Sequence, residues 1–212
     1  MEKWLKGLLW TAGILAVIAG VLRLTVLVPW KVPDDPVLVA SVAPTLNGGD
    51  TILVLTRGTP GFGELVRCTD PEDPKKLIVG RIVGVEGDVV EAQGGNLSVN
   101  GRLYGGDSAC TQPTFKVPHP SSGSMVDLNC DVVTMGGGWH YRGVSTKPLH
   151  GSKTRATVGR GMFFLISDDR EYHDDSRDFG TVPKDTCKER PFFRLWSKDG
   201  WSDDVHRLSY LH

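Results

Sequence analysis

Two clusters in this 212-residue chain have the residue types and spacing for covalent chemistry. The first runs Ser41-Val42-Ala43-Pro44-Thr45-Leu46 and ends at Gly48-Gly49-Asp50. Pro44 fixes its own φ and holds Ala43 extended, which predicts Ser41 on a stiff, extended approach to a turn. A hydroxyl presented this way is a nucleophile once a neighbouring base takes its proton. The second cluster runs from Asp168 to Gly180 and crowds acids, Arg170, Arg177 and His173 around Ser176. It comes after the apolar run Met162 to Ile166, so it reads as a polar loop leaving a buried strand. Charges held that close fix one another through charge-assisted hydrogen bonds.

Together the clusters resemble the type I signal peptidases of bacteria. That family carries a box Gly-Asp-Asn-Arg-Asp-Asn-Ser-x-Asp-Ser-Arg-x-Phe-Gly, which Asp168, Arg170, Asp175, Ser176, Arg177, Phe179 and Gly180 match in place. The Ser41 segment resembles the family's Ser-Met-x-Pro-Thr-Leu-x-x-Gly-Asp, and Arg81, Gly84, Gly87 and Asp88 match its Lys-Arg-Val-Ile-Gly-Leu-Pro-Gly-Asp. The resemblance covers residues 37–104 and 157–212 and makes Ser41 the expected nucleophile. It assigns Asp175 and Arg177 to a buried ion pair, with Asp168 and Arg170 supporting the site. Signal peptides of exported preproteins are the implied substrates, and neither a cofactor nor a metal is implied. A Pro120-Ser121-Ser122-Gly123-Ser124-Met125 stretch imitates the start of the nucleophile box but lacks its Pro-Thr-Leu and Gly-Asp, so Ser124 is set aside.

Two positions depart from the pattern. The family's general-base lysine falls on Gly80, and Arg81 cannot replace it because guanidinium stays protonated. Lys75 and Lys76 lie well over about 10 Å away along a strand. The hydroxyl that the family places in the oxyanion hole falls on Val39, leaving the Ser41 N–H, and losing one such donor typically costs about 3 kcal/mol. His173 is a candidate substitute base: Gly80 leaves room for an imidazole, and Asp174 or Asp175 would orient it. The alternative is an inactive homologue that binds extended peptides without cutting them.

The elements that must position these residues are mainly strands. Gly 26 and Pro 13 suit short strands and turns, and apolar runs predict strands at 37–40, 51–55, 64–67, 77–85, 89–92, 97–99, 162–166 and 192–196. Asn100-Gly101 marks a tight hairpin. Residues 105–160 lack periodicity and read as an irregular excursion. The expected fold is an antiparallel β domain of signal-peptidase type over 37–212, joined by a linker at 31–36 to a transmembrane helix within 1–30. Leu8 to Val28 would reach about 30 Å as a helix, longer than the apolar core of a cleaved secretory signal, with Arg23 snorkelling and Trp4, Trp10 and Trp30 at the interfaces. Lys3 and Lys6 place the N-terminus in the cytoplasm and the β domain on the extracytoplasmic side of the cytoplasmic membrane, against its lipid. The balance of 24 basic and 25 acidic residues argues against a nucleic-acid partner. Cys68, Cys110, Cys130 and Cys187 permit three disulfide pairings, with Cys110–Cys130 the first choice. No Cys-x-x-Cys is present, and His119, His140 and His150 read as surface residues.

Overall fold

The computed structural model describes residues 2–146 and 153–212, with the side chains of residues 2 and 22–25 left aside; the expectations for Arg23 and His150 fall outside the described residues and side chains. Helix α1 (Glu2–Thr25) contains a span, Lys3–Val21, of mean hydropathy 1.7 with none of it buried against the protein. By length and composition it can cross a bilayer. The apolar pattern continues beyond it, but Leu27–Lys31 forms strand β1, paired with β2 (Thr51–Leu55). Trp30 is therefore no interfacial anchor: it packs on the domain core with Arg67 stacked 4.6 Å over its ring. Nor is 31–36 a free linker, since Val32 is fully buried and exchanges main-chain hydrogen bonds with Gly49 and Asp50.

The strand expected at 37–40 is a helix, α2 (Pro36–Val42). Asp35 caps it, its carboxylate accepting from the N–H groups of Val37 and Leu38 at 3.0 and 2.9 Å, and Pro36 occupies the first turn. This Asp-Pro start outweighs the strand preference of Val37 and Val39. The helix stops at Ala43, which takes the extended conformation required before Pro44.

The remaining elements are β3 (Leu65–Thr69), β4 (Leu77–Gly84), β5 (Val89–Gln93), β6 (Asn96–Val99), β7 (Arg102–Leu103), β8 (Ser108–Pro118), β9 (Met125–Met135), β10 (Gly138–Ser145), β11 (Lys153–Thr157), β12 (Met162–Ile166), α3 (Ser176–Phe179), β13 (Val182–Pro183), β14 (Arg190–Trp196) and β15 (Ser209–Tyr210). They form four antiparallel sheets, ordered β1-β2-β14-β15, β13-β12-β4-β3, β11-β5-β6-β7 and β10-β9-β8. The β6–β7 hairpin turns on Asn100 and Gly101 at φ 53° and 80°, as the Asn-Gly signal requires. Strand β4 is buried from Ile78 to Gly84 and pairs on both edges, with β3 and β12. It is the floor on which the site is built.

The described residues of 105–160 are not irregular. Most of them form the long β8-β9-β10 sheet, whose strands alternate too weakly to be read because much of β8 is solvated on both faces. Cys110–Cys130 ties β8 to β9, and Cys68–Cys187 ties β3 to the segment before β14 across a sequence separation of 119. Closing so long a loop constrains the unfolded chain strongly. Replacing Cys68 and Cys187 by serine should lower unfolding stability by about 2–4 kcal/mol in urea titrations, with the secondary structure retained in circular dichroism.

Candidate functional site

The site is organised on a buried carboxylate. Asp168, just past β12, receives a two-pronged guanidinium: Arg81 Nε donates to Oδ1 at 2.9 Å and Nη2 to Oδ2 at 2.8 Å. Thr45 Oγ1 adds a bond to Oδ2 at 2.6 Å. Burial pushes the Asp168 carboxyl up, but the Arg81 charge and these bonds more than offset it and hold the group below the usual carboxylate range. Arg81 also donates to the carbonyls of Gly63 and His212. Beside this pair His140 is fully buried rather than at the surface, its Nε2 without a partner among the described residues; burial, with the Arg81 charge, pushes it down to about 2, so it is neutral.

The Asp168–Arg177 loop then crosses to the helix that carries the serine. The N–H of Asp169 donates to the carbonyl of Ser41 at 3.1 Å, while on its other edge the segment runs parallel to β10 through Gly143. The Asp169 side chain is also buried: Oδ1 accepts from the N–H groups of Glu171 and Tyr172, Oδ2 has no partner among the described residues, and burial pushes the carboxyl up to about 7. Arg170 donates to the carbonyl of Ser167, and burial pulls its guanidinium down to about 9. Asp175 and Arg177 form the buried ion pair, with Nη2 to Oδ2 at 2.7 Å, and Asp175 also accepts from the N–H of Ser167. Asp175 caps α3, and Ser176 Oγ accepts from the N–H of Leu165, pinning the loop back on β12.

The groups expected to move protons are placed differently. Ser41 lies inside α2, 2 % exposed, and its Oγ donates to the carbonyl of Leu38 at 2.9 Å. Its N–H lies inside the helix, where such a group bonds the carbonyl four residues back. Val39 packs on the opposite side, its Cγ2 only 2.9 Å from where a Cβ on Gly48 would stand. His173 does not enter the space over Gly80. That space is held by Leu165, whose Cβ would stand 3.2 Å from a Gly80 Cβ. Nor do Asp174 or Asp175 orient the imidazole: His173 Nδ1 bonds Asp178 Oδ2 at 2.7 Å, a partner hidden in the sequence because it lies one turn of α3 further on. Ligand atoms of His173, Asp175 and Asp178 lie within 4.8 Å of one another. Arg177 and the Ser167 N–H already occupy the Asp175 oxygens, so the trio satisfies itself. Ser124 is exposed in the β8–β9 turn, bonded to Ser122.

A mainly β domain holding a serine helix against a buried carboxylate-arginine loop is the framework of a signal-peptidase-type protein. The chain belongs to the signal peptidase family, peptidase S26, whose family model matches residues 3–196. It is similar to mitochondrial inner membrane protease subunit 1 of Mus musculus, 23 % identical over 74 % of this chain and 64 % of that protein. Signal peptidase I of Streptococcus pneumoniae is 25 % identical over 74 % of this chain and 78 % of its own length, and signal peptidase IB of Staphylococcus aureus 26 % identical over 74 % and 73 %. The chain thus spans just under two thirds of the mouse protein and somewhat more of the bacterial ones. A solved signal peptidase I from Enterococcus faecalis is 21 % identical over 63 % of this chain and 97 % of that one, with a TM-score of 0.38.

Removing one partner of the central pair strands a buried charge. Arg81→Met should cost about 3–5 kcal/mol in denaturant unfolding, and the double variant Arg81→Met/Asp168→Leu should recover most of it. The pH dependence separates two other buried groups. The folded-state value of Asp169 is raised, so its contribution is full below about pH 4 and lost as the pH rises through about 7. That of His140 is lowered, so its contribution is full above about pH 6.5 and lost as the pH falls toward about 2. Between pH 4.5 and 6, roughly, the two oppose each other. Asp169→Asn should therefore leave stability rising with pH, by up to about 1.4 kcal/mol per unit, and His140→Phe should leave it falling, as read from urea midpoints across that range.

Proposed function

We propose that this chain is a membrane-bound serine endopeptidase that removes signal peptides from exported preproteins, with Ser41 as nucleophile. The observation that carries the reading is the Asp169 N–H to Ser41 carbonyl bond, which brings together the two segments that chemistry needs, far apart in sequence. In the reaction Ser41 Oγ bonds to the scissile carbonyl carbon and loses its proton to a base. The carbon–nitrogen bond breaks as that proton passes to the leaving amine. Water then cleaves the acyl-enzyme and returns a proton to Oγ. His173 is the proposed base. Asp178 on Nδ1 fixes the tautomer that leaves Nε2 free to accept, the part a carboxylate plays in a Ser-His-Asp arrangement. Ser41 Oγ must first leave the Leu38 carbonyl, and His173 must come within hydrogen-bond reach of it.

The apolar span of α1 anchors the enzyme in the cytoplasmic membrane, with Lys3 and Lys6 on the cytoplasmic side and the β domain outside. Two disulfides fit an oxidising, extracytoplasmic compartment. The substrate is an extended segment ending in small residues, and lipid lies against the anchor. A second reading, a homologue that binds such segments without cutting them, is favoured by Leu165 filling the space over Gly80 where the family keeps its lysine.

Cleavage of a preprotein by the full chain in detergent separates the two. The peptidase reading expects product from the wild type and none from Ser41→Ala, with at least a hundredfold loss in His173→Ala, the scale of a general base. Substrate retained uncut by the wild type would instead establish the binding homologue, and full activity in His173→Ala would remove His173 from the mechanism.

A further inference from the structure

Residues 209–212 lie across a groove between β14 and β10. A cavity remains on each side of them, one of about 330 Å³ that reaches Tyr141 and one of about 450 Å³ that reaches Phe62 and Arg190. Leu211 and His212 line both cavities, and Ser41 lines neither. The groove holds the segment as an extended peptide. Ser209 and Tyr210 pair with Arg194 and Phe193 of β14, and the Leu211 N–H donates to the Phe192 carbonyl at 2.9 Å. The Leu211 side chain packs on the core that contains Ile52 and Leu65. The His212 ring stacks on Trp139 with centroids 4.0 Å apart, and its carbonyl accepts from Arg81 Nη2 at 2.9 Å. These are strand pairing, one apolar anchor, a planar ring on an indole face and a carbonyl on a guanidinium, contacts that any peptide of the same pattern makes. The hold is light. Two residues are paired, and Leu208 at the root of the segment has φ 49°, a left-handed conformation uncommon for leucine. Trp201, Val205 and Leu208 ahead of it are exposed, so little packing resists lifting it. Segments with so few buried contacts open locally, well short of global unfolding.

We propose that this groove is a peptide-binding site separate from the serine helix, covered here by the chain's own residues 209–212 as a displaceable strap. Its partner is an extended segment of another protein: an apolar residue, then a planar ring (histidine or an aromatic) on Trp139, with a carbonyl to replace that of His212 on Arg81. Such a segment also reaches the two cavities that the strap leaves open, which lets it compete with a tethered rival. Lifting the strap takes one acceptor from Arg81 and leaves its two bonds to Asp168. The site does not require Ser41 to be reactive.

The test uses the full chain in detergent and a fluorescent tetrapeptide, Ser-Tyr-Leu-His, which copies residues 209–212, with binding read by anisotropy. The full-length variant Leu211→Ser/His212→Ser weakens the strap and should bind the peptide at least about tenfold tighter than the wild type, whose own segment competes at high effective concentration. Phenylalanine in place of the peptide's histidine should keep the affinity, and serine there should lower it several-fold. Adding Trp139→Ala to the strap variant should lower it by a similar factor. If the double variant does not fold in circular dichroism, His212→Ser alone serves, with an expected gain of about threefold. Equal affinity of wild type and folded strap variant, no saturable binding, or binding indifferent to Trp139→Ala would each overturn the inference. A wild-type dimer that the peptide disperses would make the occupant a second copy of this chain and overturn the assignment to another protein. None of these readouts involves cleavage, so they stand or fall apart from the peptidase reading.

Discussion

The fork between Arg81 and Asp168 is the interaction on which the rest depends. An isolated buried carboxylate would lose its hydration at a cost of several kcal/mol, and only a guanidinium with good geometry offsets that. Arg81 supplies it from the central strand while bonding Gly63 before β3 and His212 in the tail. Asp168 supplies the other half while accepting from Thr45, four residues beyond the serine. A second fork holds the same segment further along: Arg194 of β14 bonds Asp50 at 2.9 Å and the carbonyl of Thr45 at 2.5 Å. The serine segment is thus clamped by arginines from two different sheets.

The clamp does not involve the two positions that depart from the family's boxes. Arg81, Asp168, Asp175, Arg177, Thr45 and Asp50 build the framework, and all of them match the boxes that the sequence resembles. The positions that depart from the boxes, Gly80 and Val39, are both packed with hydrocarbon, Leu165 over the first and the Val39 methyls against the Gly48 turn. None of these framework side-chain bonds involves residue 80.

The sequence conveyed the β class, the Asn-Gly hairpin, β12 and the acidic loop because each has a strong local signal. The Cys110–Cys130 pairing was readable from proximity in one stretch, which left Cys68 for Cys187. Helix α2 was missed because Val37 and Val39 look like strand residues, while the deciding signal was the single Asp35-Pro36 cap. The β8–β10 sheet was missed because its alternation is diluted by solvent on both faces. At the site, the Asp175–Arg177 pair was expected through the resemblance to the family's acidic box, not from spacing alone, and the two side chains do meet. The Thr45–Asp168 bond, spanning 123 residues, and the burial of His140 depend on how sheets pack, which no local pattern encodes.

The loop grips residue 41 through its carbonyl, an atom common to every amino acid. No framework bond consults the hydroxyl, whose one partner is the carbonyl of its own helix. The fold is therefore indifferent to the hydroxyl, though not to the size of that side chain, which is buried. Natural selection acting on folding alone would let the serine drift to alanine unnoticed, so its continued presence in a descendant lineage would report on use, not on architecture.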